Sequence, residues 1–336
     1  MLVVRDLRTS FRTSGGVVKA VDGVSFGIDR GEVVGVVGES GSGKSVMAMS
    51  LIGLVPEPGR IDSGRVLWKG RDLVRVPQRE VRSLRGREIA VVFQDPMSSL
   101  NPVQTVGRQI AEAVLLHRRV PRQAAMDRAA DAMAAVGIPS PRRHLASYPH
   151  EFSGGMRQRV MIAMALVNEP DLIIADEPTT ALDVTIQAQV MSVLDEIRQR
   201  TGTAILLITH DLGLVAAMAD RLLVMYAGRV VEEGATSEVF GRARHPYTLG
   251  LLASLPRADR PAGERLRPIA GNPPSLVAVP PGCAFHPRCP YARTPAPCAT
   301  DEPVLDGWPG GDSRVRHGAA CHFADEIATG AGLAPA

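Results

Sequence analysis

The stretch Gly38-Glu39-Ser40-Gly41-Ser42-Gly43-Lys44-Ser45 constrains the fold more than any other part of this 336-residue chain. It follows the apolar run Val33 to Val37 and opens a helical run from Ser45 to Leu54. Strand, glycine-rich turn and helix, in that order, are the context that G-x-x-x-x-G-K-[ST] needs to form a phosphate-binding loop. Gly38, Gly41 and Gly43 let backbone N–H groups curl around a polyphosphate without side-chain interference, with Ser40 and Ser42 between them. The helix N-terminus adds unpaired N–H groups and the positive end of its dipole. Lys44 is then expected at the β- and γ-phosphates and the Ser45 hydroxyl on Mg2+. A plain tight turn is the bland alternative, and the full pattern in this context outweighs it. The stretch predicts a nucleoside triphosphate site.

Composition narrows what such a site could drive. Hydrophobic residues make up 45% and charged residues 22%, which suits one large folded domain or two. The net charge of +3 is small at this length and gives no support for nucleic-acid binding. Lysine occurs only at Lys19, Lys44 and Lys69, so Lys44 stands out against an otherwise arginine-rich basic set. The longest apolar run, Val160 to Val167, is far short of the roughly 18 residues of a membrane span. Met1 to Asp6 lacks a basic segment followed by an apolar core, so a cytosolic location without a signal peptide is expected.

Along the chain, Met1 to Asp29 reads as short strands, with a turn at Thr13 to Gly16 and a break at Asp22-Gly23. Gly64 to Gly70 and Ile89 to Phe93 read as strands, and Val81 to Arg87 as a short helix. Thr105 to Gly137 is helical by the 3-to-4 spacing of Val106, Ile110, Val114 and of Ala125, Ala129, Met133. Helices follow at Arg157 to Val167 and Val184 to Arg200, and buried strands at Leu172 to Glu177 and Ala204 to Thr209. Arg221 to Ala227 and Arg229 to Glu233 form a hairpin pattern around Gly228. Strands alternating with helices predict an α/β fold with parallel strands and chemistry at the strands' carboxyl ends. Gly38, Gln94, Asp176-Glu177 and His210 all fall there.

Each of those residues has a role at a triphosphate. Asp176 ends an apolar strand and is expected to hold Mg2+ opposite Ser45. Glu177 points the other way and is expected to act as general base on the attacking water. Gln94 could contact both metal and water, and His210 the γ-phosphate or Glu177. Any one of them alone would be only a polar loop residue; their shared placement raises them.

These residues, with two further motifs, resemble a known family. Ser153-Gly154-Gly155 beside Met156-Arg157-Gln158-Arg159, then Asp176-Glu177-Pro178-Thr179 and Ala181-Leu182-Asp183, resemble the signature, Walker B and D-loop of ABC-type ATPases. Gln94 matches the Q-loop, His210 the switch histidine, and Phe11 the aromatic that stacks on adenine. Many relatives read Leu-Ser-Gly-Gly-Gln where this chain reads Phe-Ser-Gly-Gly-Met. The resemblance implies a RecA-like α/β core with an antiparallel β subdomain. It places the ATPase domain at residues 1–256, an inserted helical subdomain at about 95–165, and a small cysteine-containing extension at 257–336. It also implies that two ATPases face head to tail, with each ATP between one P-loop and the partner's Ser153-Gly154-Gly155. Gln94 to Pro102, Phe152 to Arg159, His245-Pro246-Tyr247-Thr248 and Gly282 to Cys289 look like the ATP-binding subunits of oligopeptide/dipeptide importers. That narrower resemblance implies a peripheral protein on the cytoplasmic face of the membrane. Its partners would be two permease subunits, a second homologous ATPase and an extracytoplasmic binding protein, with Asp95 to Pro102 lining the permease contact. Nickel or a glutathione-like solute is the alternative cargo, and a soluble non-transport ABC ATPase the alternative of another class.

Cys283, Cys289, Cys298 and Cys321 are the only cysteines, and all lie in the Pro/Gly-rich extension. Free structural thiols, a tetrahedral Zn2+ and a [4Fe–4S] cluster are all compatible with four thiols. The resemblance favours the iron–sulfur cluster, with zinc second and His286 or His322 as substitute ligands. The group would staple an extension that shows no core of its own.

Overall fold

Alternating apolar residues from Leu2 onward bury one face of two long antiparallel strands, β1 (Leu2–Thr13) and β2 (Gly16–Ile28). Leu2, Val4 and Leu7 on β1 and Val24, Phe26 and Ile28 on β2 are fully buried. The break expected at Asp22-Gly23 is instead an irregularity that β2 runs through, with the register shifting as Leu7 pairs with Val24 and Arg8 with Asp22. Asp22 holds the spot as an ion-pair centre for Arg8 and Arg229. The computed structural model describes residues 1–95, 99–179, 184–255, 268–306 and 316–330.

The chain forms two units, Met1–Asp29 with Val34–Arg75 and Thr209–Ala336, and Arg30–Val33 with Val76–Ile208. In the first, β4 (Gly59–Trp68) pairs with β1 and with β5 (Arg71–Asp72), giving the antiparallel order β2-β1-β4-β5. β4 starts five residues before the strand expected from Gly64 because Arg60 and Gly59 pair with Ser10 and Phe11 of β1. From Val34 on, the same unit holds β3 (Val33–Val37), parallel to β9 (Arg221–Tyr226), which turns through Gly228 into β10 (Arg229–Ala235). All five residues of β3 are buried. Such continuous apolar strands are what parallel pairing between helical layers demands. Each buried valine contributes about 1.5–3 kcal/mol of transfer free energy.

The C-terminal extension has more order than its composition suggested. A short strand, β11 (Gly318–Ala319), adds to β10, and Ala324–Thr329 forms a helix. Phe285, Ala319, Ala320, Ala324 and Ile327 are buried. Phe285 packs against Tyr226 and Tyr247, with ring centroids 5.3 and 5.4 Å away. The extension therefore borrows a core from the strands it joins.

In the second unit, β6 (Ile89–Val92), β7 (Leu172–Asp176) and β8 (Ala204–Ile208) pair in parallel. The helical block expected from Thr105 is two main helices, Val106–Leu115 and Arg122–Ala135, parted at Pro121. Pro121 sits at the second helix's N-cap, where its missing N–H costs nothing. Ile110, Val114, Ala125, Ala129 and Met133 bury the predicted faces. The helix Gly154–Leu166 is pinned to this block by Arg159, which donates to the carbonyls of Val136 and Gly137 at 3.0 and 3.1 Å. Among the described residues, no helix is long and apolar enough to cross a membrane.

Candidate nucleotide site

The first unit carries the P-loop. Gly38 leaves β3, and Gly43 takes a left-handed φ of 103° as the N-cap of the helix Lys44–Leu51. A Cβ at Gly43 would run into the Ala20 carbonyl oxygen, and one at Gly38 into that of Met225. The turn is thus shaped by backbone packed directly against it. Gly228 N–H donates to the Ser42 carbonyl at 2.9 Å, and Ser42 N–H to that of Glu39 at 3.2 Å. Lys44 is 6% exposed, and its Nζ donates to the carbonyls of Gly38 and Glu39 at 2.7 and 2.9 Å. Ser45 is exposed at the first turn of the helix, and Ser40 and Gly41 lie on the loop before it. The helix N-terminus, the lysine and the hydroxyl together suit a polyphosphate carrying a divalent cation.

Two further expected residues belong to this unit. Phe11 is half-buried near the far end of β1, where it pairs with Val18 and Gly59. His210 is exposed in the turn before the helix Leu212–Met218. Asp211 fixes that turn by capping the helix, its carboxylate accepting from Gly213 and Leu214 N–H at 2.8 and 3.3 Å.

The second unit carries the acidic residues. Asp176 is the last residue of β7 and is 7% exposed. Glu177 follows in a left-handed conformation, φ 50°, and its N–H donates to Ile208 at the end of β8. That kink turns the Glu177 side chain away from the strand direction, at a cost of order 1–3 kcal/mol that the neighbouring strand hydrogen bond offsets. Gln94, two residues beyond β6, donates through Nε2 to the Glu177 carboxylate at 2.9 Å. Sequence spacing places these residues at strand ends; the structure joins Gln94 and Glu177 side chain to side chain.

Ser153 is exposed at the N-cap of Gly154–Leu166, with its Oγ accepting from Met156 N–H at 3.3 Å. A Cβ at Gly154 would meet nothing within 4 Å, whereas one at Gly155 would meet Ile186 at 2.7 Å. Asp183 and the stretch Pro96 to Ser98 lie outside the described residues.

The four cysteines are free thiols that line one cavity of about 20 Å3 with His245, Phe285, His286 and His322. Burial pushes Cys289 up to about 12 and Cys321 up to about 11, and raises Cys283 as well. Among the described residues, no group of three or more His, Cys, Asp or Glu side chains is arranged to hold a metal ion. The donor chemistry suits a metal, but the arrangement is that of packed thiols.

Glu39, Tyr247 and Arg288 were not singled out as site residues by sequence. Arg288 forms a two-pronged ion pair with Glu39, inside the P-loop, and Tyr247 accepts from the Glu39 N–H. The signal available was indirect: Tyr247 and Arg288 lie in the two C-terminal stretches that resemble the importer subunits.

Residues 21–180 match the family described as ABC transporter, and residues 231–298 match the oligopeptide/dipeptide transporter C-terminal region. The chain is 52% identical over 291 residues to the dipeptide transport ATP-binding protein DppD of Bacillus subtilis, covering 86% of this chain and 87% of the relative. It is 51% identical over 292 residues to the oligopeptide transport ATP-binding protein OppD of Salmonella typhimurium, covering 87% of each. The Mycobacterium tuberculosis OppD is a longer relative, 51% identical over 98% of this chain and 53% of its own length. Among solved structures, a dimeric post-hydrolysis state of the ATP-binding cassette MJ0796 bound to ADP and Pi matches with a TM-score of 0.63 at 26% identity. That match covers 70% of this chain and 99% of the cassette. CbiO1 from Clostridium perfringens, part of an ABC transporter complex, matches at 0.61 and 30% identity, covering 71% of this chain and 90% of CbiO1. With its P-loop ABC ATPase fold and its matched C-terminal region, this chain belongs to the ATP-binding subunits of ABC transporters of the oligopeptide/dipeptide group.

Proposed function

We propose that this chain hydrolyses ATP to energise the uptake of di- and oligopeptides through a membrane complex. The observation that carries the catalytic part is the 2.9 Å contact from Gln94 to Glu177, one residue past the buried strand-end Asp176. Glu177 accepts the proton of the attacking water, and Gln94 holds its carboxylate in place. Lys44 and the P-loop N–H groups bind the β- and γ-phosphates, and His210 contacts the γ-phosphate. Phe11 stacks on the adenine. Hard oxygens at Ser45, Asp176 and Gln94 suit Mg2+, which supplies neutralisation of charge on the phosphoryl oxygens.

Ser153, Gly154, Gly155 and Asp183 serve the partner ATPase, so that each ATP is clamped between two protomers. The exposed helix N-terminus at Ser153 supports this, as does the dimeric state of the related cassette. Two permease subunits, a second ATPase of the same family and an extracytoplasmic binding protein complete the complex, with this chain on the cytoplasmic face. The relatives' names support peptides as the cargo. The four thiols act as a structural staple, and metal analysis with visible absorption of anaerobically purified protein tests the [4Fe–4S] cluster or Zn2+ that the resemblance implies, which the arrangement of the thiols does not itself support.

Reconstitution of the intact complex in vesicles tests the main proposal. ATP hydrolysis should rise with added dipeptide or oligopeptide and its binding protein, and peptide should accumulate inside. Stimulation by nickel or a glutathione-like solute instead would reassign the cargo. Failure to co-purify with permease subunits would overturn a transport role.

A further inference from the structure

The P-loop contains an acid, Glu39, directly after its first glycine. An acid in a loop that binds a highly charged anion needs an account. Its carboxylate is held by Arg288, whose two terminal nitrogens donate to Glu39 Oε2 and Oε1 at 2.7 and 2.9 Å. The Arg288 side chain is 5% exposed and that of Glu39 27%. The remaining guanidinium contacts are also committed: Nε donates to the Ala270 carbonyl at 2.9 Å, and a terminal nitrogen to the Tyr226 hydroxyl at 3.3 Å. On the backbone side, Glu39 N–H donates to the Tyr247 hydroxyl at 2.7 Å. Glu39 is therefore gripped at both ends by residues C-terminal to the α/β core.

The thiol module sets where Arg288 stands. His286–Arg288 is a single helical turn between Cys283 and Cys289. Its start is fixed by Cys283 N–H donating to the Cys298 carbonyl at 2.9 Å and by His286 N–H donating to the Cys283 carbonyl at 2.9 Å. Phe285 lines the thiol cavity and also packs on Tyr226 and Tyr247. One short turn thus faces the cysteines on one side and reaches the P-loop through Arg288.

We propose that Arg288 is a positioning residue for triphosphate binding: it neutralises Glu39 and holds the P-loop open to the phosphates. Without the guanidinium, the Glu39 carboxylate would repel the incoming anion and compete for Lys44, whose Nζ already contacts the Glu39 carbonyl. The planar fork matters because only arginine satisfies both carboxylate oxygens at once. The inference rests on the assignment of this loop as the ATP site.

Titration calorimetry of MgATP into the full chain tests it. Arg288→Met should weaken binding about tenfold, the scale of one uncompensated charge near a partly exposed site. Arg288→Lys should fall between that variant and the wild type. The decisive variant is Glu39→Gln combined with Arg288→Met, which should bind within about threefold of the wild type because nothing is left to neutralise. A purely structural role for Arg288 would leave this double variant as weak as Arg288→Met, and that result would overturn the proposal. So would unchanged affinity in Arg288→Met itself. Lys44→Ala reports separately on the site: if it binds MgATP as well as the wild type, the ATP assignment fails, whatever Arg288 does.

Discussion

The two glycine-rich turns that open the helices Lys44–Leu51 and Gly154–Leu166 are built to opposite tolerances. At the first, a Cβ on Gly38 or Gly43 would strike neighbouring backbone, Lys44 is buried, and Glu39 is clamped by Tyr247 and Arg288. At the second, Gly154 faces open space and Ser153 is exposed, its side chain capping its own helix. Both present helix N-terminal N–H groups to an anion. The first is a turn fixed by packing within the chain itself. The second is an open surface, which suits the proposed seam between two protomers.

The largest test of that contrast is chemical. Glu177→Gln removes the proposed base and leaves the P-loop sequence untouched. Turnover should fall by about 10^2–10^4, with MgATP affinity retained and ATP-loaded pairs accumulating in gel filtration. Unchanged turnover would remove Glu177 from the mechanism. The next test is steric. Gly43→Ala forces a side chain into the Ala20 carbonyl at a φ of 103°, so it should cost more than about 3 kcal/mol of stability and abolish nucleotide binding. Gly154→Ala should change stability by less than about 0.5 kcal/mol, as expected for an open position at a helix start. Equal costs measured by denaturant unfolding would erase the distinction.

How far each turn was legible in sequence follows from the range of its determinants. The P-loop, the strand ends at Asp176 and Gln94, and the hairpin at Gly228 are local patterns, and the structure keeps them within a residue or two. β4 begins earlier than its local composition predicts because pairing with Phe11 and Ser10 extends it to Gly59. The extension reads as coreless in sequence because its large apolar residues are sparse, and Phe285 buries against Tyr226 and Tyr247, neighbours far away along the chain. The Arg288–Glu39 pair spans 249 residues, and no periodicity or spacing could announce it. The left-handed backbone at Glu177 is likewise set by a hydrogen bond to Ile208, a neighbour only in space.

Burial of titratable groups elsewhere in the first unit has a consequence for pH response. Glu233 on β10 is fully buried, and burial pushes its carboxyl up to about 7, against a lowering influence from Arg221 and a further rise from Asp306. The folded state therefore binds a proton that the unfolded chain has released above pH ~4.5, and stability falls as pH rises from there through about 7. His245 acts in the opposite direction: burial lowers it to about 4, so its contribution is lost as pH falls below about 6.5. The difference between Glu233→Gln and wild type isolates the acid, and should grow in favour of the variant by roughly 3 kcal/mol from pH 4.5 to 7.5. A pH-independent difference would mean that Glu233 is ionised and paired in the folded protein.

The smallest stability effect is expected where the contrast is sharpest in function. Ser153→Ala removes an N-cap acceptor whose bond to Met156 N–H is already long, so unfolding should shift by no more than about 1 kcal/mol. MgATP affinity of the isolated chain should hold, because the pocket around Lys44 is built without Ser153. Turnover by the assembled pair should fall, because the proposed seam presents this serine to the partner's γ-phosphate. Loss of MgATP affinity in the isolated chain would mean that the Ser153 turn serves its own P-loop, and the two turns would then be halves of one site in a single protomer.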